Sequence, residues 1–462
     1  MDAKGNLVLP GLIDCHSHLF SLAEKEDEVD LRDCKSISEM QERIAQFLSR
    51  KQLGKAEWIL GRGWDQDLFE EKRIPSKEDI DKVLPDNPSV MTRICGHIAV
   101  VNSKALESLK FLSRQPEELV PRAGESPIGI VKEGALDKIW KAVPSLTRNQ
   151  LATSMERVLK QALQFGMVAA HCILSSNWKE ELAAIRILDK EGKLEIALSF
   201  FLPTEAIDEV EKMTKKERDL LNGQSFCVLG FKAFADGSLG ARTAALIIPY
   251  SDDPNNSGIL LYTEEELAAI AKRVKKLRMI LATHAIGDRA VEQVLNAYRK
   301  ACIKEKDNFR IEHCSVVNKR FLRRLSGVIL SVQPSFATSD YWIPNRLGSA
   351  EERIAYPLKT LNKLALIVGG SDSPVEDLNP LKGICSATQN PLSIERLDLK
   401  QAVHIYSSNT ANLSPLTRRY GRIAAGFQSN LIVLDTSDRE QFCKAKPQQI
   451  LHKGKWVYEA TK

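Results

Sequence analysis

His16 and His18 flank Ser17 at the end of a short apolar run, Leu12-Ile13-Asp14-Cys15-His16-Ser17-His18. Far along the chain, Lys232, His284, His313 and Asp372 each close another such run. Imidazole nitrogens and carboxylate oxygens are ordinary ligands of zinc and related divalent ions. Taken alone, each histidine is more often a hydrogen-bonded structural residue than a ligand. Four of the chain's eight histidines fall in this set, however, and that concentration favours a metal site. Lys232 is a second signal. It stands in Leu229-Gly230-Phe231-Lys232-Ala233-Phe234, where a charge inside an apolar strand needs a reason. A buried amine loses basicity and can be neutral and nucleophilic. It can then capture carbon dioxide as a carbamate, whose two oxygens could bridge two cations. The plainer role is that of an ion-pair partner in a barrel interior. Asp372, in Gly369-Gly370-Ser371-Asp372-Ser373-Pro374, is suited to bind metal and to carry a proton from an attacking water to a leaving group.

Further candidates lie in predicted loops. Asp236, Ser238 and Arg242 follow the fourth apolar run. Arg242 could grip a substrate carboxylate or carbonyl, with a loop salt bridge as the alternative. Trp64 and His97 are candidate substrate-binding residues from an inserted segment, and Phe336, Tyr341 and Trp342 are candidate pocket walls. For His171 and Cys172 packing is the favoured role over ligation. His404 reads as structural and His452 as exposed.

The elements that must position these residues form a rhythm of apolar strand and amphipathic helix. Eight strands are predicted: Leu12–His16, Met167–His171, Glu195–Phe201, Val228–Ala235, Met279–His284, Phe309–His313, Val328–Gln333 and Ala365–Asp372. Near-continuous apolar runs suit strands buried on both faces of a parallel sheet. Thr263 with Glu266 forms a capping-box signature ahead of a helix over Leu267–Leu277, and further helices are predicted over Asp288–Cys302 and Lys319–Leu325. The alternation predicts an α/β fold, a (β/α)8 TIM barrel, in which all strand C-termini open on one rim. Residues hundreds apart can therefore converge. The gap between the first two strands is far longer than a loop. We read 35–160 as an inserted subdomain, 12–34 with 161–420 as the barrel, and 1–11 with 421–462 as a small β-sandwich.

The composition excludes other classes. Across 462 residues, 65 Lys and Arg against 60 Asp and Glu leave a net charge of +5, too small and too dispersed for a nucleic-acid partner. No signal-peptide pattern opens the chain, and no apolar run reaches the roughly 18 residues of a membrane helix. Nine cysteines without a CxxC pair read as reduced thiols in a cytoplasmic protein. The expected partner is a small-molecule substrate, and a homodimer stays open.

The stretches LPGLIDCHSH, GRGWDQ, RICGHIAVVNSKAL, FKAFADGSLGARTAAL, THAIGDRAV, FRIEHC, GGSDSPVE and GRIAAGFQSNLIVLD run from residue 9 to 435. Together they resemble the amidohydrolase superfamily, and within it amidohydrolase family 3, in the branch near N-substituted formamide deformylases. The resemblance implies a barrel with two divalent metal ions, zinc being usual. It implies His16 and His18 on the more buried metal and carboxylated Lys232 as the bridge. His284 and His313 would hold the second metal, and Asp372 would complete the first and shuttle a proton. It also implies hydrolysis of a carbon–nitrogen bond other than a peptide bond by a metal-bridging hydroxide. Two features depart from the family. Its members carry some fifty residues more ahead of LPG, which implies a misassigned start, a shortened chain or an incomplete sandwich, and Ser429-Asn430 replaces the usual Ala-Asp. Deamination on the same scaffold is the alternative, but His284-Ala285-Ile286-Gly287-Asp288 lacks the glutamate that mononuclear deaminases carry there. A catalytically silent binding protein is the third reading.

Overall fold

The computed structural model describes residues 2–50, 57–95, 98–112, 129–132, 136, 139–140, 143–144, 146–348 and 351–460. Eight parallel strands form one sheet: β1 (Leu12–Ser17), β2 (Met167–Ile173), β3 (Ala197–Pro203), β4 (Phe226–Phe234), β5 (Ile280–Ala285), β6 (Arg310–His313), β7 (Ile329–Val332) and β8 (Leu366–Gly369). Each matches a predicted run to within a few residues. Neighbours follow chain order, and β8 returns to β1 to make a nearly closed barrel. The return is fastened just past β8, where the Asp372 N–H donates to the His16 carbonyl at 2.7 Å. Register pairs Phe234 with His284 and Ala285 with His313, so the ends of β4, β5 and β6 lie level.

Amphipathic helices cover the barrel. The capping box of Thr263 and Glu266 is formed, and Glu264–Lys276 buries Leu267, Ala268, Ala271 and Val274. Asp288–Lys300 buries Val291, Val294, Leu295 and Tyr298. Each such Val or Leu contributes about 1.5–3 kcal/mol by leaving water. The Tyr298 hydroxyl donates to the Arg310 carbonyl at 3.1 Å, so this helix is also pinned to β6.

The chain divides into two compact units, 1–22 with 148–462, and 23–147. The sequence boundaries at 35 and 160 move for physical reasons. Val29–Asp30 pairs in parallel with Ile59–Trp64, which draws the first segment into the inserted unit. Helix Arg148–Gln164 stays with the barrel, because Arg148 pairs with Glu180 of the next barrel helix at 2.5 Å and the helix leads directly into β2. The inserted unit has a five-stranded mixed sheet, Val29–Asp30, Ile59–Trp64, Ser89–Arg93, Ile98–Val101 and Ile130–Lys132 in that order. Chain ends meet in one antiparallel sheet of Val8–Pro10, Leu431–Leu434, Pro447–His452 and Lys455–Glu459, a single layer among the described residues rather than two facing ones. Among the described residues no helix is long and apolar enough to cross a membrane. One expectation is corrected: Cys385 and Cys443, 58 residues apart, form a disulfide, while the other seven cysteines are not disulfide-bonded. That pairing is made by the fold and leaves no local spacing to read.

Candidate metal centre

Alternation along a strand sends residues two apart to one face. On β1 a register irregularity between Asp14 and Ser17 interrupts that alternation where His16 stands, and His18 lies just beyond the strand end. All six predicted side chains converge at the C-terminal ends of the strands. Asp372 Oδ1 lies 3.3 Å from His16 Nε2 and 3.2 Å from His18 Nε2. Lys232 Nζ lies 3.3 Å from His16 Nε2. The His313 ring is 4.9 Å from that of His16 and 4.4 Å from that of His284, centroid to centroid. His16, His313 and Asp372 each offer a ligand atom, and these atoms all lie within 4.8 Å of one another.

Backbone geometry aims two of these groups. His313 and Asp372 have φ of 70° and 57°, a left-handed conformation that costs a non-glycine residue about 1–3 kcal/mol. The strain is held by hydrogen bonds from Cys314 N–H to the Ala285 carbonyl (3.0 Å) and from Asp372 N–H to the His16 carbonyl. Gly370 permits the close approach. A Cβ there would stand 2.6 Å from His16 N and 2.8 Å from His16 Cβ.

Three residues that the sequence reading did not assign support the centre. Glu312, wholly buried on β6, accepts a hydrogen bond from His16 Nδ1, which leaves Nε2 facing Asp372 and Lys232. Arg310, two residues back and on the same inward face, places Nε 2.5 Å from Glu312 Oε1 and donates to the Cys15 carbonyl at 3.0 Å. It also meets His171 Nδ1 at 3.1 Å, which makes His171 part of this buried support, with Nε2 unpartnered. Gln333 Oε1 accepts from His313 Nδ1 at 2.7 Å, so His313 likewise turns Nε2 toward the cluster. His284 Nε2–H donates to the Gly237 carbonyl at 3.1 Å, leaving Nδ1 with a lone pair. Arg310 and Glu312 carried the same signal as Lys232: charges at alternate positions of an apolar strand.

Protonation fits a cation. Burial lowers the imidazoles of His18 and His313, and the neighbouring His284 lowers His313 further, so both are neutral donors near pH 7. Burial alone would raise the Asp372 carboxyl, but His16, His18 and His313 around it hold it well below the usual range. Burial brings the Lys232 amine down to about 8, against the pull of Glu312 and Asp372. For His16, burial and Lys232 favour the neutral form, yet Glu312 and Asp372 prevail and raise it. A proton and a metal therefore compete for His16 Nε2. The neutral imidazoles of His18 and His313, an ionised carboxylate and a weakly basic amine, gathered with His16 and His284, form the donor set a divalent ion requires.

The substrate-binding candidates fare differently. Trp64 is a core residue of the inserted unit, fully buried against Phe69, with its indole N–H donating to the Met91 carbonyl at 2.7 Å, so it is packing rather than pocket wall. His97 lies outside the described residues. Asp236 is buried, and its carboxylate accepts backbone N–H groups of Ala245, Ile286 and Gly287, organising the rim loops rather than presenting itself to a ligand. Its Oδ1 also stands 3.4 Å from His284 Nε2. Arg242 is the loop ion pair, bidentate on Asp252 at 3.0 and 3.1 Å. Asp252 holds Arg346 as well. Cys172 is buried packing, and Trp342 packs beside Leu239 and Tyr250. His452 is buried, not exposed, with Nε2 2.6 Å from the Glu195 carbonyl.

A parallel eight-stranded barrel whose strand ends gather imidazoles, an amine and a carboxylate has the architecture of a metal-dependent hydrolase. Comparison with known proteins agrees. The chain is 34% identical to a metal-dependent hydrolase from Pyrococcus furiosus of known structure, with a TM-score of 0.76 over 94% of this chain and 88% of that one. It is 30% identical over 483 residues to the amidohydrolase YtcJ of Bacillus subtilis (strain 168), covering 99% of this chain and 90% of its relative. It is 24% identical over 473 residues to the N-substituted formamide deformylase of Arthrobacter pascens, covering 94% and 84%. The amidohydrolase family model matches residues 1–460, and the chain belongs to that family.

Proposed function

We propose that this metal-dependent amidohydrolase cleaves a non-peptide carbon–nitrogen bond, an amide or an N-substituted formamide, at a centre of two divalent ions, with zinc the resident metal. The observation that carries the reading is Lys232. Its amine is wholly buried, is brought to about 8, and stands 3.3 Å from His16 Nε2 among the other donors. An amine of that basicity is substantially neutral near pH 8 and can add to carbon dioxide, losing one proton to water and becoming an anionic carbamate. His16, His18 and Asp372 would hold one cation and His284 and His313 the other, with carboxylated Lys232 between. Bound there, divalent ions supply Lewis acidity toward the carbonyl and lower the pKa of water.

The chain's own residues do the rest. Glu312 and Gln333 fix the tautomers of His16 and His313. Asp372, held ionised, accepts a proton at its carboxylate from the attacking water and returns it to the leaving nitrogen. Water supplies the new C–O bond, the C–N bond breaks, and the products are an acid and an amine. The relation to a formamide deformylase supports the choice of bond. Metal analysis combined with a panel of N-substituted formamides, N-acyl amino acids and cyclic amides tests the reading. Two metals per chain with amine release from the first class is the expected result. Ammonia release from ring substrates would make the chain a deaminase, and two bound metals without hydrolysis of any class would overturn the proposal.

A further inference from the structure

Two phenylalanines with accessible surface stand beside the centre, and further exposed apolar side chains lie in the loops that leave the strand ends. Phe234 ends β4 with 43% of its surface exposed, its ring 5.4 Å from the His284 ring and 4.9 Å from Lys232 Nζ. Phe336 is half-buried beyond β7, its ring centroid 6.4 Å from that of His313. The loop after β4 comes back to the same place: Leu261 N–H donates to the Ala235 carbonyl at 2.8 Å, and its side chain, 51% exposed, ends the apolar trio Ile259-Leu260-Leu261. Val375, three residues past Asp372, is 66% exposed. Single exposed apolar side chains are ordinary. Several beside a buried polar cluster mark a ligand surface. Arg242 of the β4 loop and Arg346 of the β7 loop are already engaged, because both bind Asp252. Neither is free to receive a substrate carboxylate.

We propose that the centre takes neutral substrates with a bulky apolar group, of phenyl or branched-alkyl size, next to the scissile amide, and that it discriminates against a carboxylate at that place. The inference rests on the carbon–nitrogen hydrolysis reading above. Phe234 is the main specificity determinant. Its ring meets both His284 and Lys232, so a substrate ring laid on it brings the adjoining amide to the donor cluster while covering surface that otherwise stays wet.

The test uses the zinc-loaded protein and three formamides, N-methylformamide, N-(2-phenylethyl)formamide and N-formylglycine, followed by amine release. The phenylethyl compound should exceed the methyl compound in kcat/KM by at least about tenfold, the span one apolar group commands in a pocket, with N-formylglycine the poorest. Phe234→Ala should lower the phenylethyl-to-methyl ratio by about tenfold through KM. Leu261→Ser, at a half-exposed side chain whose loss spares the core, should lower it roughly threefold. Calorimetry with N-(2-phenylethyl)urea, a neutral analogue, reads the same surface without turnover and should weaken about tenfold in Phe234→Ala. Preference for N-formylglycine, or a ratio unmoved by Phe234→Ala, would overturn the substrate class and leave amide hydrolysis standing. No turnover of any formamide by metal-loaded protein that still binds the urea would instead overturn the hydrolytic reading on which the class rests.

Discussion

Glutamine in place of Glu312 separates two jobs that one carboxylate performs. Glu312 and Arg310 are 0% and 2% exposed, with Arg310 Nε 2.5 Å from Glu312 Oε1. At about 4 Å and an effective dielectric of about 20, opposite charges attract by roughly 4 kcal/mol. Glutamine keeps the shape and one acceptor but removes the charge that Arg310 and His16 share. Breaking one side of a buried pair costs about 3–5 kcal/mol, and the retained acceptor places Glu312→Gln near the lower end, at about 3 kcal/mol. The second job is at His16, where the carboxylate on Nδ1 orients the ring and makes Nε2 a better donor. Losing such a support costs about 10–100-fold in metal affinity, or about 1.4–2.8 kcal/mol. Urea unfolding of the metal-free protein reads the first effect, and competition with a chromophoric chelator reads the second. Arg310→Met combined with Glu312→Gln removes both charges, so it should recover much of the stability while metal affinity stays low. Glu312→Gln protein that binds metal within about twofold of wild type would refute this account of His16.

Three further outcomes are expected. Asp372→Asn and Lys232→Ala should each reduce turnover by at least about 10³-fold, because one loses the proton acceptor and the other the buried amine; full activity in either variant, read by amine release, would contradict their roles. Gly370→Ala should cost about 1–3 kcal/mol and weaken metal binding as well, since its Cβ would press on His16 N and Cβ, which are backbone-fixed; calorimetric unfolding and chelator competition check both. Burial, with Lys453 beside it, lowers the His452 imidazole from 6.5 to about 4. The unfolded chain then binds the proton first as pH falls, so stability is lost between about pH 6.5 and 4, by up to roughly 3 kcal/mol. His452→Gln should flatten that slope in denaturant titrations at pH 7, 6 and 5, and an unchanged slope would assign the loss to other groups.

Much of this architecture was legible because barrel strands are buried on both faces. Burial of that kind writes itself as unbroken apolar runs, such as Met167–Ile173 and Ala197–Pro203, and leaves charged residues inside them conspicuous. Lys232 and the strand-closing histidines were found on that basis. The partners were harder, because a partner is a property of two strands. Glu312 meets His16 only once β6 and β1 face each other across the barrel, although FRIEHC displays its charges openly. Arg242 shows the reverse error: its guanidinium could serve a substrate or Asp252 equally well, and only the loop's path brings Asp252 to it. Trp64 looked like a pocket wall because an aromatic in a polar motif suggests a surface, whereas its indole N–H is satisfied inside, by Met91.

The aim of the ligands lies deeper still. Side-chain type identifies His313 and Asp372 as donors, but both occupy left-handed backbone, which is uncommon for any non-glycine residue even though aspartate and histidine reach it more readily than most. Nothing local imposes it. For Asp372 the constraint is the hydrogen bond to the His16 carbonyl that fastens β8 to β1, and for Cys314, next to His313, it is the bond to the Ala285 carbonyl on β5. The strain at each donor is therefore sustained by contacts with the neighbouring strand, and it is released if those contacts are lost. A loosened barrel would keep every ligand in the chain and still lose the centre, because the donors' directions belong to the closed sheet and their identities alone belong to the strands.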